Sequence, residues 1–212
     1  MAVNSEKTKI LVWDAPVRVF HWLMVFSFAG AYLTAESERW RLIHVTLGYT
    51  MGGLVAFRIV WGLIGTRYAR FSSFVRGFAT VKRYIVSLLD GKPEHHVGHN
   101  PAGAVAIVLL LLSSLVIVAT GWAAYNEVGG NLVEKLHDVS ANFMMLIVII
   151  HVAGVVVSSW LHHENLIRSM VTGKKIAAPN QGINTTLKFL ALIVAMVTFG
   201  FWYFQWLSVP SI

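Results

Sequence analysis

Five stretches of the chain stay apolar for about 20 residues or more, which at about 1.5 Å per residue is enough for a helix to cross a bilayer. They run approximately Pro16–Ala35, Leu42–Ile64, Gly103–Tyr125, Leu136–Trp160 and Leu187–Leu207. The first reads as a retained span and not a cleaved signal. Its apolar part is too long, it carries His21, and no small-x-small site precedes Glu36–Trp40. Between spans two and three, Phe74–Leu89 places Phe78, Val81, Tyr84, Ile85, Leu88 and Leu89 at helical spacing, interleaved with Arg76, Lys82 and Arg83. That pattern predicts an amphipathic helix lying along the membrane interface. Gly173–Gly182 reads as a flexible linker, with an accessory fifth span behind it. The expected fold is an all-α membrane bundle, with four helices over residues 1–170 forming the core and residues 171–212 supplying linker and fifth span.

Composition agrees: 56% of the 212 residues are hydrophobic and 13% charged, against about 25% charged in a soluble domain. The net charge of +7 is distributed unevenly. Lys7, Lys9 and Arg18 precede or begin span one, and Arg67, Arg70, Arg76, Lys82, Arg83 and Lys92 separate spans two and three. Arg168, Lys174, Lys175 and Lys188 separate spans four and five, while the opposite side receives only Arg39, Arg41 and Lys135. The positive-inside rule puts the N-terminus in the cytoplasm and the C-terminus outside. Charge of this kind calls for no nucleic-acid partner, and no such motif is present. Arg58 is left inside span two.

The chain has no cysteine and nine histidines, so nitrogen and not sulfur must bind any metal. Four histidines fall in spans: His21, His44, His137 and His151. A polar ring inside a membrane needs a partner and is a functional candidate by default. The fourteen residues from His137 to His151 advance about 21 Å and end about 40° short of four full turns. Both rings therefore leave span four on roughly one face, near opposite sides of the bilayer. Topology sets His44 near the outer surface with His137, and His21 near the inner surface with His151. Two bis-histidine sites at two depths suit two non-covalent b-type haems better than zinc or a di-iron centre. Gly48, Gly52 and Gly154 share faces with these ligands, where small residues admit a porphyrin against the backbone or let helices pack closely. Arg18 and Arg41 stand where a haem propionate would emerge, or where interfacial charge anchors a helix.

Several motifs resemble one family. Trp13-Asp14-Ala15-Pro16-Val17-Arg18-Val19-Phe20-His21-Trp22, Arg58-Ile59-Val60-Trp61-Gly62 followed by Tyr68-Ala69-Arg70-Phe71, Gly98-His99-Asn100-Pro101 and the His137/His151 pair look like the bacterial cytochrome b561 family. That family includes b-type cytochrome subunits of nickel–iron hydrogenases and is related to the formate dehydrogenase gamma subunit. The resemblance covers about residues 10–170. It implies two haems b, ligated in the pairs given above, and a quinone site near the inner haem. An Asn-Pro-x-Gly segment contributes to that site in related subunits, and Asn100-Pro101-Ala102-Gly103 matches it. Asn100 would cap span three or hydrogen-bond a quinone carbonyl, and His99 would relay protons or sit as an exposed loop residue. His95, His96, His162 and His163 are read as non-ligands.

The function implied is electron transfer between the quinone pool and a periplasmic partner, either a cytochrome c or a hydrogenase- or dehydrogenase-type enzyme. Short outer loops offer a large partner little surface. An alternative is a stand-alone superoxide:quinone oxidoreductase drawing its substrate to Arg39, Arg41 and Lys135. A third is a membrane anchor in which the haems are structural.

Overall fold

Two helices start where the sequence supplies both a cap and a proline. In the computed structural model, which describes residues 8–91 and 94–208, Asp14 accepts from the Val17 amide at 2.8 Å at the head of α1 (Ala15–Thr34). Pro16 fills the first turn, where no amide is needed. Asn100 does the same for α5 (Pro101–Tyr125), accepting from the Gly103 amide at 2.7 Å. Helix α2 spans Arg41–Ile64 and α6 spans Gly130–Leu161; with α8 (Lys188–Leu207) they complete five helices long and apolar enough to cross a membrane. Lys7 and Lys92 lie outside the described residues.

The long helices form antiparallel hairpins α1–α2 and α5–α6, joined where α2 packs on α5. Phe28, Met51, Ile117 and Met144, one from each helix, form the buried centre of this four-helix core. Outward faces stay apolar: Leu33, Leu63, Ile64, Leu132 and Trp160 are all more than 60% exposed, a surface suited to lipid and not to water. Helix α8 lies against α1 and reaches α2, where Trp202 Nε1 donates to Thr50 Oγ1 at 2.8 Å.

The bundle differs from the sequence reading in three places. Helix α6 begins six residues before Leu136, so Glu134 and Lys135 sit on a helix and the turn between α5 and α6 shrinks to Asn126–Gly129. The interfacial segment breaks into α3 (Phe71–Phe74) and α4 (Phe78–Leu89), with Tyr84 buried and Phe78 and Leu89 exposed. The largest correction concerns Gly173–Gly182, which is no flexible linker. After α7 (Leu166–Thr172), strand β2 (Lys174–Ala177) pairs antiparallel with β1 (Thr8–Leu11), with Thr8 opposite Ala177 and Leu11 opposite Lys174.

The ribbon seals one end of the bundle, which we label inner after the charge asymmetry. Ile10, Val12, Trp13 and Ala177 cluster there with Tyr68, Val97 and Met170, drawing on every long connection at that end. The Gly173 carbonyl accepts from the Val12 and Trp13 amides at 2.8 and 3.0 Å. Gly173 has φ +80°, and a Cβ there would fall 2.6 Å from the Trp13 carbonyl oxygen, so the crossing needs glycine.

Candidate functional site

Near the outer end, His44 sits in the first turns of α2 and His137 in α6, with ring centroids 6.1 Å apart and planes at 76°. Each ring is pinned through Nδ1. His44 Nδ1 lies 2.8 Å from the Ala31 carbonyl of α1, and His137 Nδ1 lies 3.0 Å from the Ile117 carbonyl of α5 and 3.2 Å from Thr120 Oγ1. A carbonyl only accepts, so each Nδ1 carries the proton and each Nε2 keeps its lone pair. This is the arrangement that orients a metal-ligating imidazole and raises its basicity. All four core helices take part. Gly121 completes the site, since a Cβ at that position would come within 2.8 Å of His137 Cε1.

At the inner end, His21 of α1 and His151 of α6 are within electrostatic reach of each other. His21 Nδ1 is buried without a hydrogen-bond partner among the described residues. An orphaned ring nitrogen is costly in an apolar bundle, and His21 lacks the carbonyl that fixes each outer imidazole. Gly48 and Gly154 have open space beside them, since a Cβ on either would meet no protein atom within 4 Å, which leaves room for a flat ligand as for lipid. Gly52 does not: its Cβ would touch Val118 of α5 at 3.0 Å, so that glycine serves helix packing. Among the described residues no three His, Cys, Asp or Glu side chains converge on one point. The His44 and His137 imidazoles, with no third ligand beside them among the described residues, would suit an iron carried in a porphyrin.

Of the residues expected near a quinone or propionate, Asn100 takes the capping role offered for it, and His99 departs from the exposed-loop reading. The Asn100 Oδ1 is taken up by the helix cap. His99 is no exposed loop histidine, for it packs between Trp13, at 4.4 Å between ring centroids, and Phe74, at 4.8 Å. Burial first, then Arg58, Lys175 and the imidazoles of His151 and His21, push His99 down to about 3, so it is neutral at physiological pH. Arg18 is spent on the chain itself, its Nη1 donating to the Val171 carbonyl at 2.6 Å. Arg41 lies at the outer end, 3.8 Å from Glu38 and with its guanidinium 5.8 Å from the Tyr125 ring.

The four loop histidines serve the inner cap. His95 packs on His162 at 5.6 Å, and His96 lies 3.6 Å from Glu94. His163 has positive φ just beyond α6. Beside them a buried pair, Lys175 and Glu164 at 3.0 Å, ties β2 to the end of α6. Three elements escaped the sequence reading: Gly121, the part played by Asp14, and the surroundings of Arg58. Asp14 is 1% exposed, and its second oxygen accepts from Trp61 Nε1 at 3.1 Å and Thr66 Oγ1 at 2.6 Å. It thereby locks the end of α2 to the start of α1. A buried acid before a proline is legible as a cap, but its partners across the bundle are not.

The chain is similar to a probable Ni/Fe-hydrogenase B-type cytochrome subunit of Rhodobacter capsulatus, 23% identical over 216 residues, covering 80% of this chain and 82% of the relative. A protein of the same description from Rhizobium leguminosarum bv. viciae is 22% identical over 81% of this chain and 90% of its own length. The probable Ni/Fe-hydrogenase 1 B-type cytochrome subunit of Escherichia coli K12 is 30% identical over 142 residues, 55% of this chain and 60% of the relative. No solved structure matches significantly. The family model for prokaryotic cytochrome b561 matches residues 12–173, which contain all four intramembrane histidines and both hairpins, and the chain belongs to that family.

Proposed function

We propose that this multi-pass b-type cytochrome is a transmembrane electron conduit of the bacterial inner membrane. It joins the quinone pool at the inner end to a redox partner in the periplasm. In this reading His44 and His137 hold one haem b and His21 and His151 a second, with residues 1–170 as the haem-binding unit. The observation that carries it is the opposed outer pair, with both Nδ1 atoms tied to backbone carbonyls of neighbouring helices. A haem b held by these residues would supply one-electron chemistry.

The residues of the chain do the rest. Ala31, Ile117 and Thr120 fix the imidazole tautomers, and Gly121 gives His137 its room. An apolar cleft lined by Val75, Val81, Pro101, Ala104 and Val105 opens between α4 and α5 beside Asn100, a suitable place for an isoprenoid quinone. The names of the relatives favour a hydrogenase-type partner over a cytochrome c, despite the short outer turns. The superoxide:quinone alternative rests on cationic charge at the outer end, where Arg41 lies 3.8 Å from Glu38 and Arg39 stacks on the Trp40 ring.

Purified protein in proteoliposomes tests the conduit. A short-chain quinol is expected to reduce the bound haem and pass electrons to a water-soluble acceptor confined to the outer side. His44→Ala should stop transfer to that acceptor while leaving some haem reducible by quinol. Haem that stays oxidised in the presence of quinol would refute the reading.

A further inference from the structure

Arg58 is the charged group to which the conduit reading gives no role. It stands six residues before the end of α2 at Ile64, and His21 stands six residues after the start of α1 at Ala15. Because α1 and α2 pack antiparallel, the two share one depth, about 9 Å from the inner ends of their helices. Arg58 is 3% exposed, and its Nη1 is buried with no hydrogen-bond partner among the described residues.

The guanidinium is held there and cannot snorkel to the surface. Its Cζ lies 4.8 Å from the Phe71 ring and 6.0 Å from that of Phe74. Gly62, one turn along α2, makes this platform possible, since a Cβ there would overlap the Phe71 ring. The neighbouring carboxylate is already used. Asp14 accepts from Val17, Trp61 and Thr66 and forms no ion pair with Arg58. Asp14 and His99 lie within electrostatic reach of Arg58; the first has its carboxylate engaged elsewhere and the second supplies no anion. A planar, desolvated guanidinium whose Nη1 has no hydrogen-bond partner is shaped for a carboxylate arriving from outside the chain.

We propose that Arg58 binds a carboxylate of the haem held by His21 and His151, the role that sequence position alone would give to Arg18. The proposal rests on the two-haem reading. It makes Arg58 a binding residue for the propionate and a determinant of the inner haem's potential, because a fixed positive charge favours the reduced iron.

The test is a spectroscopic redox titration of the full chain and of R58Q and R58K at several pH values, with the haem ligated by His44 and His137 as internal control for folding. In R58Q the inner potential is expected to drop and to depend more steeply on pH, as the unpaired carboxylate titrates, while the outer potential stays put. R58K, which keeps the charge, should lie close to wild type in both respects. An inner potential and pH slope unchanged in R58Q, or the same drop in R58Q and R58K, would overturn the proposal. So would an unchanged inner potential with weakened quinol affinity, which would assign Arg58 to the quinone. If R58Q binds no haem, R58K alone decides: two haems with a wild-type pH slope support the proposal, and loss of the inner haem refutes it. Wild-type protein that binds a single haem, at His44 and His137, would refute the two-haem reading together with this proposal. Two haems with an indifferent Arg58 would refute only the latter.

Discussion

The outer imidazoles are held by contacts only a few atoms wide, so single side chains have sharp effects there. Gly121→Ala should displace the His137 ring, because the new methyl group would lie 2.8 Å from Cε1. Overpacking of this kind costs about 1–3 kcal/mol, and the expected readout is loss of haem relative to protein by optical absorption. Gly200→Ala, which meets nothing within 4 Å, should leave haem content unchanged. His99 gives a pH signature. With its pKa pushed down to about 3 in the folded state, the unfolded chain binds more protons below pH 6.5. Stability should therefore fall as pH drops from 6.5 toward 3, by up to about 1.4 kcal/mol per pH unit. His99→Phe should flatten this acid loss in thermal melts measured in detergent; an undiminished loss would show that other groups cause it. The four intramembrane histidines were legible in the sequence because a polar ring in an apolar span stands out, and their spacing on one helix set their depths. Gly121 was not, since its reason lies on the facing helix.

Among the elements, the spans could be read to within about six residues from hydropathy, and the proline-led start of α5 from Asn100, whereas the equivalent cap by Asp14 at α1 was overlooked. The β1–β2 ribbon could not be read. Its strands are more than 160 residues apart and each is four residues long. Its pattern is also inverted, for Lys175 and Ala177 face inward while Ile176 faces out. Lys175 is buried because Glu164 answers it at 3.0 Å, a pairing no local rule reveals. Gly173→Ala should open the ribbon, given the φ of +80° and the nearby Trp13 carbonyl. Hydrogen exchange at the Val12 and Trp13 amides should quicken by orders of magnitude while α5 and α6 are unaffected. Equal protection in the variant would mean the ribbon does not depend on that crossing.

For the whole molecule, charge asymmetry and the depth of four histidines define a bundle with two different ends. The outer end is spare, with a four-residue turn between α5 and α6, whereas the inner end is a folded cap built from every long connection. Sequence reasoning reached the five long helices because a run of apolar residues translates directly into helix length. It missed the cap because those segments fold by non-local contacts. The central claim is the pairing of ligands at two depths, and haem-resolved redox titration of the four single His→Ala variants tests it most directly. The account predicts that His44→Ala and His137→Ala abolish one and the same haem, and that His21→Ala and His151→Ala abolish the other. Loss of different haems within either pair would contradict it.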